Sequence, residues 1–406
     1  MPASNSSRLT RRTFLAGLAA IGVAAACGPG SQPGPRRSPA SGGSDLGPLR
    51  ARQGRLVDRV GREVRLTGVN WFGLETPNFA PHGLWARGWL EMLDQVAGAG
   101  FNSLRLPFSN QLFDGGSAPS SIDLTKNPDL RGLSGLELLD KLVEGAAARG
   151  LRVVLDRHRP SADAQSELWY TDRVSESRWV DDWVMLARHY QGKPAVVAAD
   201  LHNEPHGPAS WGDGNPRTDW RLAAERAGNA ILAANPDWLI VVEGIERHGS
   251  DSYWWGGNLS GARSAPVRLS NPEKLVYSAH DYGPEVYPQP WFQDRAFPGN
   301  LASVWDQHWG YLAAERIAPV LVGEFGGRSV GDDPEGVWQR RLLAHLKERG
   351  LSYEYWAWNP DSGDTGGVLR DDWRTVDAGK LGLLQTYQWP RPGAGRAELE
   401  VTANAA

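Results

Sequence analysis

The sequence predicts an α/β fold, a single (β/α)8 (TIM) barrel. The chain has 406 residues, and one such barrel takes about 250 residues and often more with insertions. Hydrophobic residues make up 41% of the chain and charged residues 22%, a globular composition that can fill a large core. From about residue 50, eight short apolar runs alternate with stretches of helical pattern. This alternation indicates parallel strands covered by helices.

The apolar runs are interpreted as parallel strands because they are continuous rather than alternating, as expected where both faces of a sheet are covered. A hairpin, RLVDRVGREVRL (55–66), precedes or overlaps the first of them. In chain order the runs are LTGVNW (66–71), NSLRLP (102–107), LRVVLD (151–156), AVVAADL (195–201), WLIVVEG (238–244), KLVYSAH (274–280), APVLVGEF (318–325) and SYEYWAW (352–358).

Three stretches between the runs carry large apolar residues at helical spacing, which predicts one buried face for each helix. The faces are Trp89, Met92, Leu93 and Val96; Trp179, Trp183, Leu186 and Tyr190; and Trp338, Leu342 and Leu346. Asp333 and Pro334 are typical of the start of the last helix. The alternative fold is an open doubly wound sheet, but VNWFGLE after the first strand lacks the G-x-G-x-x-G turn typical of that fold.

The N-terminus is predicted to be an export signal, over residues 1–27. Arg11 and Arg12 precede an apolar stretch that ends at Ala26, and about 14 residues are too few to span a membrane. The segment resembles a twin-arginine signal that ends in a lipobox, Ala24 to Cys27, with Cys27 as the lipidation site. The alternative is simple cleavage after Ala26, which leaves Cys27 as a free thiol. We therefore expect an extracellular or cell-surface lipoprotein.

The remaining boundaries follow from composition. Residues 28–48 are rich in Gly, Pro and Ser and predict a flexible linker. The single catalytic domain is expected over 49–390, with a C-terminal tail over 391–406. Because Cys27 is the only cysteine, no intrachain disulfide can form. This fits a route that exports folded proteins.

The net charge of the chain limits the classes of partner that it is expected to bind. The net charge is −4, and no basic run occurs beyond the N-terminus, so we expect no nucleic-acid partner. Membrane contact is expected only through the lipid anchor, and the chain is expected to be a monomer. The 19 tryptophans exceed what a core needs. Many are expected to line a cleft, where flat rings can stack on a ligand.

Ionisable and aromatic residues follow the apolar runs, where the carboxyl ends of barrel strands form the active site. They are Arg105, Asp156 to His158, His202 to Glu204, His280 to Tyr282, Glu324, Trp356 and Trp358. Glu204 comes three residues after the fourth run and Glu324 lies at the end of the seventh, and two convergent carboxylates suit cleavage of a glycosidic bond. The alternative is that each glutamate only pairs with an arginine at the rim.

Further roles follow from the chemistry of these groups. Asn203 can donate a hydrogen bond to a sugar hydroxyl, and Pro205 ends the strand and fixes the turn. The Arg105 guanidinium can hold Glu324 ionised and oriented, although a rim ion pair is the alternative for Arg105. The negative charge of Glu324 is expected to raise the pKa of Glu204 and so keep it protonated near neutral pH.

The motifs RLP, HNEP, HDY and GEFG resemble those of glycoside hydrolase family 5, the cellulase family. Longer stretches, DRHRP, WRLAAERAGNA, SYWWGGNL, YSAHDY and WNPDSGDTGG, are similar to secreted bacterial endo-β-1,4-glucanases of that family. The resemblance covers roughly residues 50–385. It implies a retaining enzyme without a cofactor, with Glu204 as acid/base and Glu324 as nucleophile.

The same resemblance implies the residues around the sugar. They are Arg105, His158, Asn203, His280, Tyr282 and Trp356. Trp85 and Trp255 are implied as stacking platforms, and Trp358 is expected to bind substrate as well. Family members often carry cysteines in the loops ETPNFAPHGLW, RPSADAQS and PASWGDG, and this chain has none there.

Other chemistries fit the sequence less well. His158, His202, His206 and His280 could be metal ligands, but there is no HExxH motif and we expect no metal. GRSVG (327–331) matches the esterase G-x-S-x-G, yet four residues from Gly331 to Pro334 precede the helix, and the one downstream histidine, His345, lies within the helical pattern. β-Mannanase or another β-glucanase activity, a non-catalytic glycan-binding lipoprotein and a serine esterase are the alternative functions.

Overall fold

The computed structural model describes residues 46–392. The export signal with Cys27, most of the linker and the tail from residue 393 lie outside the described residues. Leu46, expected in the linker, is buried in the main hydrophobic core, so packing begins a few residues before the expected boundary. At the other end, the Arg391 side chain donates to the backbone oxygen of Arg149 (3.3 Å).

A small antiparallel sheet comes first. It consists of β1 (Arg50–Arg52), β2 (Arg55–Val57) and β3 (Glu63–Val64), and so it extends the predicted hairpin by one strand. Its apolar side chains share a buried cluster with side chains of the barrel strands. The cluster is Leu49, Leu56, Val64, Leu66, Val154, Val197, Ala198, Leu239, Val241, Val276 and Leu321.

Eight parallel strands form a closed barrel, which confirms the predicted fold. In chain order they are β4 (Thr67–Asn70), β5 (Ser103–Ser109), β6 (Arg152–Arg159), β7 (Val196–Asp200), β8 (Leu239–Glu243), β11 (Leu275–His280), β12 (Val320–Phe325) and β13 (Ser352–Tyr355). β13 pairs with β4 and closes the barrel. A short hairpin, β9 (Arg247–His248) and β10 (Asp251–Ser252), lies between β8 and β11. Each predicted apolar run corresponds to one barrel strand, although β5 and β6 extend two and three residues past their runs.

The helices surround the barrel. They are α1 (Trp89–Gly98), α2 (Gly135–Ala148), α3 (Glu176–His189), α4 (Trp220–Ala234), α5 (Leu301–Trp305), α6 (Tyr311–Ala314), α7 (Pro334–Arg349) and α8 (Ala378–Gln385), with a π-helical turn at Asp306–Gly310 between α5 and α6. The large apolar residues predicted on three helical faces are buried. Asp333 caps α7 by accepting from the Gly336 amide (3.0 Å), as predicted.

The expected alternation of strands and helices fails once. Between β8 and β11 the chain forms the β9–β10 hairpin and 3-10 turns, Ser260–Arg263 and Pro272–Lys274, instead of an α-helix. Glycines such as Gly256 and Gly257 make this segment a poor helix former. It contributes instead to the wall of the cleft described below. None of the described helices has the length and apolar composition needed to cross a bilayer.

Candidate active site

A cleft of about 1080 Å³ lies at the carboxyl ends of the barrel strands, where polar residues were predicted to converge. Glu204 and Glu324 both line it. One carboxylate oxygen of Glu204, one ring nitrogen of His280 and one carboxylate oxygen of Glu324 lie within 4.8 Å of one another. The structure therefore brings the two predicted carboxylates together across the cleft.

Arg105 is fully buried on β5 and joins several polar side chains beneath the cleft. Its Nη1 donates to Glu324 Oε1 (2.6 Å) and to Asn70 Oδ1 (2.9 Å). Its Nε donates to Asp200 Oδ2 (3.0 Å), and its Nη2 donates to Asn203 Oδ1 (3.1 Å). A guanidinium placed in this way fixes the orientation of Glu324 and of the Asn203 amide.

Glu324, near the end of β12, has a second donor. The Tyr282 hydroxyl donates to Glu324 Oε2 (2.6 Å). Burial and the charge of Glu324 hold the pKa of Tyr282 well above its usual range, so the phenol remains a donor at any working pH. With one donor on each oxygen, the Glu324 carboxylate is held in one orientation.

Glu204 follows β7 with a left-handed backbone, at φ +52°, which is rare for a residue other than glycine. His280 Nδ1 lies 3.0 Å from its Oε1, and Gln165 donates to its Oε2 (3.0 Å). Burial raises the pKa of Glu204, but the hydrogen bond and charge of His280 outweigh burial, so the pKa of Glu204 lies below its ordinary value. The predicted direction was the opposite, because it considered only the charge of Glu324.

His280, the last residue of β11, has carboxylates on both sides of its ring. Its Nε2 lies 3.3 Å from Glu243 Oε1, and its Nδ1 lies 3.6 Å from Glu324 Oε2. Burial lowers the pKa of His280, but the charges of Glu243 and Glu324 dominate and raise it well above its ordinary value. A protonated ring at this position donates from Nδ1 to Glu204 and places Nε2 at ion-pair distance from Glu243.

His158, on β6, differs from His280. Its Nδ1 lies 2.6 Å from Asp156 Oδ2, and its ring stacks on Trp356 with centroids 5.3 Å apart and planes 6° apart. Burial lowers the pKa of His158 to about 4. A neutral ring that donates from Nδ1 to Asp156 leaves Nε2 as an acceptor, which could bind a sugar hydroxyl.

The predicted aromatic residues have different positions. Trp356 and Trp255 line the cleft; Trp255 is 46% exposed and lies flat on His206. Trp85 is 38% exposed and lies beside His82, which lines the cleft, with ring centroids 5.4 Å apart. Its role as a platform stays a prediction.

The assignment of Trp358 to substrate binding is wrong. Its side chain is 0% exposed and packs edge-on against Phe101, with ring centroids 6.3 Å apart. β13 ends at Tyr355, so the alternation of sides along a strand does not extend to residue 358. His202 also lies away from the cleft, where its Nδ1 is 2.8 Å from Arg157 Nη1.

Two residues that contact Glu204 were missed by the sequence analysis. Gln165 lies in an irregular loop, where no periodic pattern marks it. Glu243 is the last residue of β8, and its Oε2 accepts from the Glu204 backbone amide (2.8 Å). Its place at a strand end, equivalent to that of the other candidates, was the signal that could have identified it.

Carboxylates and histidines approach one another closely at this site. Among residues 46–392, one group with metal-like spacing is Asp156, Asp200 and Glu243. All three contact the Arg105 guanidinium, at 3.0–3.3 Å. The positive charge that these oxygens require is thus already supplied by a side chain, and the donor set needs no ion to account for it.

Comparisons with known proteins agree with this geometry. Residues 57–362 match the model of the cellulase family, glycosyl hydrolase family 5. An endoglucanase of Paenibacillus polymyxa is 57% identical over 340 residues, which cover 83% of this chain and 86% of that protein. The major extracellular endoglucanase of Xanthomonas campestris pv. campestris is 44% identical over 83% of this chain and 70% of its own length.

Solved structures show the same relationship. The catalytic domain of the Xanthomonas enzyme matches with a TM-score of 0.79 at 44% identity, over 82% of this chain and 97% of that chain. An endocellulase from Pyrococcus horikoshii, in complex with cellotetraose, matches with a TM-score of 0.79 at 42% identity, over 83% of this chain and 97% of that chain. With a family model that spans most of the barrel and relatives well above 30% identity, this chain belongs to the cellulase family, glycosyl hydrolase family 5.

Proposed function

We propose that this protein is a retaining endo-β-1,4-glucanase in which Glu324 is the nucleophile and Glu204 is the acid/base. One observation carries the assignment of roles: Glu324 is held by Arg105 and Tyr282 at 2.6 Å each, whereas Glu204 contacts a histidine and an amide across the cleft. Two strong donors stabilise a carboxylate that must stay ionised to attack. Glu204 lies beside a proton source instead.

The reaction proceeds in two displacements. Glu324 attacks the anomeric carbon and forms a glycosyl ester, while Glu204 gives a proton to the leaving glycosidic oxygen. In the second step Glu204 takes a proton from water, the resulting hydroxide attacks the same carbon, and Glu324 leaves as a carboxylate. Each displacement inverts the anomeric carbon, so the product has the configuration of the substrate.

The substrate class rests on the relatives. The Paenibacillus and Xanthomonas relatives are named endoglucanases, and the Pyrococcus endocellulase binds cellotetraose. A cleft of about 1080 Å³ that is lined by Trp255, Trp291 and Trp356 suits several pyranose units, since indole faces stack on sugar rings. We infer β-1,4-linked glucan as the polymer and a monomer as the working form.

The test is a substrate panel. Reducing-sugar release is measured from carboxymethylcellulose, mannan and xylan, and p-nitrophenyl ester hydrolysis is measured in parallel. Release from carboxymethylcellulose, abolished in Glu324→Gln and in Glu204→Gln, is the expected result. Faster release from mannan would replace the glucanase by a mannanase. Ester hydrolysis that survives in both variants would favour a serine esterase, and binding without release would indicate a glycan-binding protein.

We further propose that the chain is exported by the twin-arginine route and held at the cell surface by a lipid on Cys27. The support is the twin arginine, the short apolar stretch and the Ala24–Cys27 segment. The description of the Xanthomonas relative as extracellular fits export.

A further inference from the structure

We propose that Glu243 is a positioning residue of the acid/base: it keeps His280 protonated, and His280 supplies the proton that Glu204 passes to the leaving group. The inference rests on the proposed function, because it concerns the same reaction. Glu243 is the last residue of β8, is 0% exposed and is not among the residues that line the cleft. It therefore acts through other residues rather than on the sugar.

The geometry of Glu243 joins three parts of the site. Its Oε2 accepts from the Glu204 backbone amide (2.8 Å), and its Oε1 lies 3.3 Å from His280 Nε2 and 3.3 Å from Arg105 Nη2. The first contact holds Glu204 at its left-handed φ of +52°, a conformation that surrounding structure must enforce. The second contact is made with Nε2, the ring nitrogen of His280 that faces away from Glu204.

The loop beside Glu243 packs closely against its carboxylate. A Cβ on Gly256 would lie 2.3 Å from Glu243 Oε2, and Gly256 also has φ +67°. Glycine is required at that position on both grounds. The carboxylate is thus enclosed between Gly256, the turn that carries Glu204 and the His280 ring.

The contacts form a line from Glu243 through His280 to Glu204. As an imidazolium, His280 donates from Nδ1 to Glu204 Oε1 (3.0 Å) and holds its protonated Nε2 at ion-pair distance from Glu243 Oε1 (3.3 Å). When the leaving oxygen needs a proton, the Nδ1–H bond breaks and the Oε1–H bond forms. His280 becomes neutral, keeps the proton on Nε2 toward Glu243, and Glu204 becomes the acid. No proton is gained or lost by the pair in this step.

Several charged groups surround the contacts from Glu243 through His280 to Glu204, and all belong to elements that pack around these residues. They are Arg105 on β5, Asp156 on β6, Asp200 and Glu204 on and after β7, His280 on β11 and Glu324 on β12. Because His280 and Glu204 share one proton, the pH at which that proton is lost belongs to the pair. Burial raises the pKa of Glu243 to about 7, so its negative charge is complete only above that pH. There the charge favours the protonated pair and raises the pH at which the pair loses its proton.

The test is Glu243→Gln in the complete protein. The amide oxygen can still accept from the Glu204 backbone, but the amide group presents no negative charge to His280. We expect the alkaline limb of the pH profile of kcat/KM on cellotetraose to move down by about one unit. Hydrolysis of 2,4-dinitrophenyl β-cellobioside should fall far less, because that leaving group needs little acid assistance.

A matched control is Glu354→Gln. Glu354 is another fully buried barrel carboxylate, on β13. It packs against Gly68, where an added Cβ would touch it, and not against the residues of the acid/base. Its variant should keep the wild-type alkaline limb. If Glu243→Gln also keeps that limb, or if both variants lose activity on the two substrates equally, the proposal is wrong.

A second measurement needs no substrate. ¹⁵N NMR of the wild type should show both His280 nitrogens protonated at pH 7, with the signals assigned by their loss in His280→Asn. A singly protonated His280 at pH 7 would overturn the supply of a proton from His280 even if the enzyme is an active glucanase. Conversely, a doubly protonated His280 in a protein that hydrolyses no glucan would refute the proposed function and not the charge state.

Discussion

Trp255 lies flat on His206, with ring centroids 3.8 Å apart and planes 7° apart. Trp255 is 46% exposed and lines the cleft. A ring that is supported from behind and open in front is preorganised to stack on a pyranose unit. The pair links the turn after β7, which carries Glu204, to the segment after β8.

The first prediction follows from this pair. Trp255→Ala should lower kcat/KM on cellopentaose about tenfold, which corresponds to about 1.4 kcal/mol, and leave activated short glycosides nearly unchanged. The reason is that a remote platform binds distant sugar units and not the reacting bond. Steady-state kinetics on both substrates is the measurement. Trp85→Ala is the comparison, and an equal loss on long and short substrates would assign Trp255 to packing.

The second prediction concerns Gln165, which donates to Glu204 Oε2 (3.0 Å). Gln165→Leu removes a hydrogen bond that stabilises the ionised carboxylate, so the pKa of Glu204 should rise. The alkaline limb of the kcat/KM profile should move up by about half a unit, opposite to the shift expected for Glu243→Gln. Ser166→Ala, in the same loop, controls for loop disturbance. A downward shift in Gln165→Leu would show that the contact does not stabilise the carboxylate.

The third prediction concerns stability in acid. His345, on α7, is buried against Trp305 and Trp309, and burial lowers its pKa to about 4. The unfolded chain therefore binds the proton more readily than the folded chain between pH 6.5 and 4. His345 therefore leaves the free energy of unfolding at its full value above pH 6.5 and lowers it as the pH falls toward 4, by at most roughly 3 kcal/mol.

His345→Gln should remove this loss. Urea unfolding at pH 7 and at pH 4.5 gives the free energy of unfolding of each protein, and the difference between the two pH values should be smaller in the variant than in the wild type. His189→Gln, on the accessible side of α3, should keep the wild-type difference. If His345→Gln loses as much stability in acid as the wild type, the acid sensitivity comes from other groups.

The fourth prediction concerns the anchor. Metabolic labelling with a fatty acid should mark the wild type and leave Cys27→Ala unlabelled, because the thiol of Cys27 is the acceptor in the lipobox. Replacing Arg11 and Arg12 by lysine should block export of both. Unlabelled wild type, free in the medium, would establish simple cleavage after Ala26 instead.

The fold was predictable because the order of apolar runs and helical patterns along the chain determines the order of strands and helices. Each apolar run corresponds to a barrel strand, and Asp333 with Pro334 begins a helix as their backbone preferences require. Glu204 and Glu324 were identified for the same reason, since they lie at or just after the ends of two of these runs. The wrong predictions concern segments beyond the strand ends, where the chain changes direction. Trp358 follows the end of β13, and the segment from Gly244 to Lys274 forms a hairpin and turns instead of a helix.

The state of the acid/base was not predictable from the sequence for a related reason. The contacts of Glu204 with His280, Gln165 and Glu243 join residues at least 39 positions apart. They depend on the left-handed turn at Glu204, for which no glycine or asparagine signals the conformation. Charge arguments on Glu324 alone therefore gave the wrong direction for the pKa of Glu204.

The last prediction is stereochemical. Carboxyl groups in inverting enzymes stand about 6.5–9.5 Å apart to admit a water, and those in retaining enzymes about 5–5.5 Å. Here an oxygen of Glu204 and an oxygen of Glu324 lie within 4.8 Å of each other, which is closer than the spacing of inverting pairs and favours retention. We expect the β-anomer as the first product of cellotetraose hydrolysis, observed by ¹H NMR before mutarotation.

Azide separates the roles of the two glutamates. In Glu324→Gly, azide can occupy the space of the lost carboxylate and attack an activated β-glycoside directly, which should give the α-glycosyl azide in one inversion. In Glu204→Ala, Glu324 still forms the glycosyl ester, and azide then attacks it from the opposite face to give the β-glycosyl azide. The reverse pattern of products would exchange the two assignments, and the α-anomer as first product of the wild type would refute a nucleophilic Glu324.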